Sequence, residues 1–352
     1  MFAAAMLHRT RPVVAQIVPM RRCNLACAYC NEYDHSSAPV PLPEMLKRID
    51  KLAALGTSII TLSGGEPLMH PGLEEIIRRI RSHGAIATLI SNAYLMSHER
   101  IRSLNDAGLD YLQISIDNVE PDETSMKSLR VLERKLQWLA REAEFSVTIN
   151  SVIGFAVRRP EDALTVARRA RALGFQSTVG IVHDEAGQCQ GLPEDQLRVY
   201  QEIRRLETGV FSFAHFDRFQ ENLVRGLPND WHCRAGARFL YVCEDGLVHW
   251  CSQQRGHPGI PLATYTHEDV EREYAVEKGC APFCSISCVH QTAMLDMIRE
   301  RPGEMIEQLI QRRRSTNPEF RPPWMLKAIA WAFVENPRAD MMRRAFVRLM
   351  GL

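Results

Sequence analysis

With 352 residues the chain can bury a large core and has room for one big domain or two. Its 43 basic and 42 acidic side chains balance to a formal net charge of +1, which removes the electrostatic case for a nucleic-acid partner. Ten cysteines with no n-region, apolar h-region and cleavage site ahead of them argue against a secreted disulfide framework and for a reducing cytoplasm; no apolar run approaches the roughly 18–20 residues that a spanning helix needs.

In chain order, β-rich runs fall at 13–18, 58–62, 85–90, 111–116, 145–153 and 175–182, each followed by apolar residues at helical spacing, such as Met45, Ile49 and Leu52, or Leu129, Leu132, Leu136 and Leu139. Six such units over residues 12–206 predict parallel strands with right-handed helical crossovers, in an open wound sheet or a barrel.

Polar residues cluster where these strands end. After the first comes Cys23-Asn24-Leu25-Ala26-Cys27-Ala28-Tyr29-Cys30. Three thiolates on one short loop can hold three irons of a cubane and leave the fourth iron open. A structural zinc closes all four of its positions and usually draws on paired knuckles, so a lone triplet fits it poorly. The second strand ends in Ser63-Gly64-Gly65-Glu66-Pro67, whose glycines let backbone approach a ligand closely; the alternative is an ordinary glycine-rich turn. Ser91-Asn92-Ala93 closes the third unit, Ser115 and Asp117 the fourth, and Asn150 and Ser151 lie in the fifth strand. Asp117 also suits a turn, and Tyr29 alone would suit a core.

The triplet, with Tyr29 just before its last cysteine, resembles the signature loop of the radical S-adenosylmethionine (radical SAM) enzymes, and Ser63 to Pro67 resembles their second motif. The resemblance implies a partial (β/α)6 TIM-like barrel with its site at the C-terminal ends of the strands. It implies that Cys23, Cys27 and Cys30 bind a [4Fe-4S] cluster whose fourth iron is chelated by S-adenosylmethionine, and that reductive cleavage gives a 5′-deoxyadenosyl radical. An external low-potential donor of flavodoxin or ferredoxin type would supply the electron. By the same resemblance Gly64, Gly65, Glu66 and Pro67 hold the cofactor's amino group, Tyr29 packs near its adenine, Ser115 and Asp117 take ribose and carboxylate contacts, and Asn150 and Ser151 add ribose or adenine contacts. Lys127 is either a carboxylate contact or a solvated lysine. The chain departs from the family in reading Ser-Asn-Ala where relatives often have Thr-Asn-Gly, so a non-glycine residue has to take that turn.

Between 207 and 230 the rhythm stops in an aromatic connector, Phe211 to Phe219, which either packs against the barrel or lines a substrate cavity. His183 and Asp184, after the sixth strand, are placed to meet substrate, and Cys189 reads as a structural thiol. A second cysteine group follows: Cys233, Cys243, Cys251, Cys280, Cys284 and Cys288. β-rich runs 239–242 and 247–250 around Glu244-Asp245-Gly246 predict a hairpin, and steps of four from Cys280 to Cys288 would put thiols on one face of a helical turn. The frame from Cys233 through Gly246 to Cys251 resembles the opening of the SPASM and twitch auxiliary-cluster domains. Six thiols ligate one [4Fe-4S] cluster with two to spare, whereas two clusters need eight. The expected set is Cys233 and Cys251 with two of Cys280, Cys284 and Cys288, Cys243 being a further candidate; zinc is the alternative. His249, His257 and His290 are expected to face solvent or to be hydrogen-bonded.

The expected organisation is a radical SAM core (1–206), a connector (207–230), an auxiliary-cluster domain (231–292) and a helical tail (293–352). The tail's Trp324 helix and its arginine-bearing successor suggest either docked helices or peripheral contact with an anionic membrane. With the aromatic connector they lean the substrate towards an apolar or lipid-like molecule rather than a peptide. An iron-sulfur electron carrier or a zinc-bearing interaction module, without radical chemistry, is the alternative function.

Overall fold

The structure is a computed structural model that describes residues 10–123, 125–155, 157–183, 189, 191–206 and 217–301, with individual positions between 304 and 322. The chain divides into two compact units, Met1–His290 and Gln291–Leu352.

The first unit is built on a nine-stranded sheet in the order β6-β5-β4-β3-β2-β1-β7-β8-β9. Six strands, β1 (Val14–Met20), β2 (Ile59–Gly64), β3 (Ile86–Ser91), β4 (Tyr111–Ser115), β5 (Ser146–Gly154) and β6 (Gln176–Val182), run parallel to their neighbours in sequence order. Helices α1 (Leu42–Ala54), α2 (Leu73–Ser82), α3 (His98–Ala107), α4 (Leu129–Glu142) and α5 (Glu161–Ala172) are the crossovers, and α6 (Glu194–Arg205) follows β6. This is the expected partial barrel, and every strand lies within a residue or two of its sequence-derived limits.

The helices form where apolar residues recur on one stripe. Met45, Ile49 and Leu52 of α1 and Leu73, Ile76, Ile77 and Ile80 of α2 are buried. They meet the outward face of the strands, where Ala15, Ile17, Ile60, Leu62, Ala87, Leu89, Leu112 and Ile114 complete one apolar cluster. Each large aliphatic buried here contributes roughly 1.5–3 kcal/mol. Ser97 caps α3 by accepting from Arg100 N–H at 3.1 Å, and Gly108 ends it in the left-handed region at φ 80°.

The hairpin predicted after residue 233 is present as β7 (Phe239–Val242) and β8 (Leu247–His249), with β9 (Pro258–Pro261) beside it. It joins the barrel sheet directly, since β7 pairs parallel with β1 from Val14↔Phe239 to Ile17↔Val242. Arg48 of α1 fastens the turn: its Nη1 donates to the carbonyls of Cys243 (3.1 Å) and Glu244 (3.0 Å), and a Cβ on Gly246 would lie 2.9 Å from its Nη2. Helices α7 (Asp217–Leu223), α8 (His267–Ala275) and α9 (Ser287–Glu300) complete the described elements. None of the helices among the described residues is long and apolar enough to cross a membrane. Residues 211–216 of the aromatic connector, Asp184, and the tail helices around Trp324 and Arg343 lie outside the described residues.

Candidate active site

The loop after β1 is closed on itself and then fastened to the loop after β2. Cys23 N–H donates to Asp34 O at 3.0 Å and Asp34 N–H to Arg21 O at 2.9 Å, while Cys30 N–H turns back to Cys27 O at 3.1 Å. Gly65 N–H and Glu66 N–H donate to the carbonyls of Met20 and Arg22, both at 3.1 Å. A Cβ on Gly65 would sit 2.2 Å from Arg21 O, and one on Gly64 would sit 2.5 Å from Val18 Cγ1. The glycines therefore serve the approach of one protein loop to another, a reason that the motif alone does not disclose.

Burial raises the pKa of Cys23 and of Cys30, and neighbouring thiols add to it, Cys30 and Cys27 at Cys23 and Cys27 at Cys30. Leu25 N–H reaches Cys23 Sγ at 3.4 Å and Asn92 Nδ2 reaches it at 3.7 Å, donors suited to a thiolate. The three cysteines line a cavity of about 290 Å3 whose wall also includes Tyr29, Gly64, Gly65, Asn92, Ser115 and Lys127. A triplet on one short loop, lining an open space and with N–H groups aimed at one of its sulfurs, fits a cluster with one free iron.

The other expected cofactor contacts fall in two groups. Ser115 lines the cavity. Glu66 is wholly buried and occupied, accepting from Leu68 N–H (3.0 Å), Ser91 Oγ–H (2.7 Å) and Asn92 N–H (2.8 Å), and burial pushes its pKa up. Pro67 opens the short 3-10 turn Pro67–Met69, and Asn150 accepts from Thr178 Oγ1 at 2.9 Å. Asp117 is 2 % exposed and takes Tyr29 OH and Ser125 Oγ–H (2.7 Å) on one oxygen, with no partner for the other. Ser151 is buried in β5 with no partner for its hydroxyl. Ala93 takes the left-handed turn at φ 58°, as the missing glycine requires.

Lys127 is not a solvated lysine. Its Nζ donates to Tyr29 OH at 2.8 Å and lies 3.7 Å from Asp117. Burial works against its charge, but Asp117 and Tyr29 outweigh that and hold its pKa well above the ordinary value. The sequence offered no signal for this, because only the fold brings 29, 117 and 127 together.

Of the six distal thiols, four converge. Cys251 and Cys280 act electrostatically on Cys233, Cys280 acts on Cys251, and Cys233, Cys251 and Cys280 all act on Cys284. Burial drives Cys233 to about 12, Cys251 to about 11 and Cys284 well above the ordinary range, a penalty that metal coordination would remove. The single helical face expected for Cys280, Cys284 and Cys288 does not form. Cys280 precedes the 3-10 turn Ala281–Phe283, Cys284 follows it in extended backbone, and only Cys288 lies in a helix. Pro282 in the turn breaks the helix that the spacing suggested. Cys288 and Cys243 lie in other surroundings, Cys288 near Glu32 and Tyr111, Cys243 near Glu244 and Arg255.

Among the described residues, the group of possible ligands with atoms all within 4.8 Å is Cys243, Asp245 and His249. His249 is a poor ligand as placed: its Nδ1 accepts from Gly256 N–H at 2.9 Å, so the proton of the neutral ring sits on Nε2. His290 is buried against Phe219 and Trp231 rather than solvated, and His257 stacks on Trp250. Cys189 lies in an apolar cluster, and His183 lines the cavity beside Gln253, 2.8 Å away.

The cavity reaches the sequence neighbours of the second cysteine group. Besides the triplet it is walled by Ser252 and Gln253, which follow Cys251, and by Ser285 and Ile286, which follow Cys284. Glu32, two residues after Cys30, acts electrostatically on both Cys30 and Cys251 and accepts from Tyr241 OH of β7, while Arg255 Nη2 donates to Asn31 O at 3.0 Å.

Residues 17–183 match the radical SAM superfamily. The GTP 3′,8-cyclase of Aquifex aeolicus is 28% identical over 279 residues, 70% of this chain and 85% of the relative. The PqqA peptide cyclase of Bradyrhizobium diazoefficiens is 32% identical over 149 residues, 40% of this chain and 39% of the relative, so the match spans well under half the length of that enzyme. Among solved structures, Streptococcus suis SuiB bound to S-adenosylmethionine superposes with a TM-score of 0.56 over 85% of this chain and 78% of that chain at 14% identity, a likeness of fold alone. By its matched segment, its barrel and its motifs, the region 17–183 is that of the radical SAM superfamily, a family that implies a [4Fe-4S] cluster and S-adenosylmethionine.

Proposed function

We propose that this protein is a radical SAM oxidoreductase or transferase-type enzyme with one auxiliary [4Fe-4S] cluster on Cys233, Cys251, Cys280 and Cys284. The observation that carries the reading is the shared cavity: residues next to Cys251 and Cys284 wall the space that Cys23, Cys27 and Cys30 line. Once bound, the cofactors would supply a 5′-deoxyadenosyl radical for hydrogen abstraction, and the auxiliary cluster would serve as electron acceptor or as a site for substrate. The chain's own residues do the rest. The loop of residues 21–34 fixes three sulfurs at the strand ends, Gly64 and Gly65 let the two loops meet, Ser115 and Asn92 offer polar atoms to the cofactor, and Lys127 keeps a positive charge beside Tyr29 for its carboxylate. The electron enters from an external low-potential donor in a reducing compartment. The organisation into core, connector, auxiliary segment and tail follows the same reading.

Zinc is the alternative occupant of the distal thiols, and the two differ in the sulfur spacing they impose. Zn–S bonds of roughly 2.3 Å put tetrahedral sulfurs about 3.8 Å apart, whereas sulfurs around a cubane stand farther apart. No three of these thiols have sulfurs all within 4.8 Å among the described residues.

The test is iron and sulfide content after anaerobic reconstitution of the wild type and the Cys23→Ala/Cys27→Ala/Cys30→Ala variant, with 5′-deoxyadenosine measured after dithionite and S-adenosylmethionine. About eight irons falling to about four, with 5′-deoxyadenosine formed by the wild type only, is expected. Wild-type protein that binds iron but forms no 5′-deoxyadenosine would be an electron carrier, and a colourless protein without sulfide would be a zinc module.

A further inference from the structure

Below the thiol-lined cavity, the inner face of the six parallel strands differs from a closed barrel, which branched aliphatic side chains usually fill. Strand register sets Gln113 beside Thr148 and Gln176 in one row, and Ser115 beside Asn150 and Thr178 in the next. Ser115 lines the cavity, and the row of Gln113 lies two residues below it along β4. Side chains that share this face with them along β1 to β6 include no Asp, Glu, Lys, Arg or His.

Most of these groups are already engaged with one another. Tyr111 OH donates to Thr148, Thr148 Oγ1 donates to Gln176 Oε1 at 3.4 Å, and Thr178 Oγ1 donates to Asn150 Oδ1 at 2.9 Å. Gln113 is the exception. It is half-buried beside Thr148, and among the described residues its amide has no hydrogen-bond partner. An amide held there offers one acceptor and two donors to whatever enters.

We propose that this face holds the reacting portion of the substrate, that this portion is neutral and hydroxyl-rich, of the sugar or polyol class, and that Gln113 is a specificity-determining residue for it. The inference rests on the radical SAM reading, which makes the neighbouring cavity the cofactor's place. A phosphate-bearing portion would need cations that the rows lack. An apolar chain would strip Gln113, Thr148 and Asn150 of water and return no hydrogen bond. A hydroxyl both donates and accepts, as Thr and Tyr hydroxyls and carboxamides do, so it can enter the existing network without leaving a group unpaired.

Saturation-transfer NMR on the reconstituted enzyme with S-adenosylmethionine tests this. The probes are N-acetylglucosamine, glucose 1-phosphate, decanoate and a neutral acetylated tripeptide amide. N-acetylglucosamine is expected to bind best, and Gln113→Leu to weaken it roughly fivefold, the worth of one hydrogen bond, with the unfolding midpoint unchanged. Preferred binding of decanoate, the phosphate or the tripeptide overturns the class, as does failure of every probe to bind. Sugar binding that Gln113→Leu leaves intact overturns the residue assignment. Wild-type 5′-deoxyadenosine formation is read separately, so sugar binding without it would remove the radical reading and spare the polar face.

Discussion

A Cβ on Gly65 would lie 2.2 Å from the carbonyl oxygen of Arg21 and 2.4 Å from that of Arg22. Both atoms are backbone, so neither can swing aside, and Gly65→Ala has to push the cysteine loop away from β2. The expected cost is about 1–3 kcal/mol in urea unfolding of the metal-free protein, with loss of iron from the first site but not the second. Unchanged iron at both sites would show that the loop is less tightly placed than this contact implies.

Lys127 and Asp117 form a buried pair, so removing the lysine alone strands a carboxylate. Lys127→Met should destabilise by about 3–5 kcal/mol, and the double variant Lys127→Met/Asp117→Asn should recover much of it. Equal losses in the single and double variants would mean that Asp117 is supported chiefly by Tyr29 and Ser125.

The distal cysteines divide by place. Cys280→Ala or Cys284→Ala should lower reconstituted iron from about eight to about four per chain, whereas Cys288→Ala and Cys243→Ala should retain about eight. Loss of iron in the Cys288 variant would instead put that thiol in the coordination set.

His70 gives an acid-sensitive contribution far from the cysteines. Its Nδ1 accepts from Gly72 N–H at 3.1 Å, so Nε2 carries the proton and donates to Val40 O at 2.8 Å, and burial lowers its pKa from the ordinary 6.5. A depressed folded value means that the stability is fully present above pH 6.5 and lost as pH falls through 6.5 towards the folded pKa, at up to about 1.4 kcal/mol per unit. His70→Gln can keep the bond to Val40 and cannot protonate, so its urea midpoint should fall less than the wild type's between pH 7 and pH 5. Parallel pH profiles would assign the acid sensitivity elsewhere.

Arg48 is the fastening of the hairpin turn. Arg48→Met leaves the Cys243 and Glu244 carbonyls without their donor and should cost about 2–3 kcal/mol in urea unfolding. A smaller effect would mean that water replaces the guanidinium.

The strands were legible because a parallel sheet with helices on its outer face writes its pattern locally: 13–18, 58–62 and 85–90 in the sequence became β1, β2 and β3. The Glu244-Asp245-Gly246 turn announced the hairpin for the same reason, and Gly246 indeed sits at φ 81°. Long-range relations were not legible. Nothing in Phe239–Val242 says that it will pair with β1, and nothing near Lys127 says that Tyr29 and Asp117 will enclose it. The Cys280 to Cys288 spacing misled because Pro282 interrupts a period that cysteines alone would have sustained.

The parallel pairing of β7 with β1 also bears on how such a chain can be shortened. A barrel ending near residue 206 would present the row from Val14 to Ile17 as a bare strand edge, apolar on its outward side and free to recruit another chain. The segment that carries the second set of cysteines is thus also the seal of the first strand, and a version of the chain cut back to the six-stranded barrel would need a substitute for that edge.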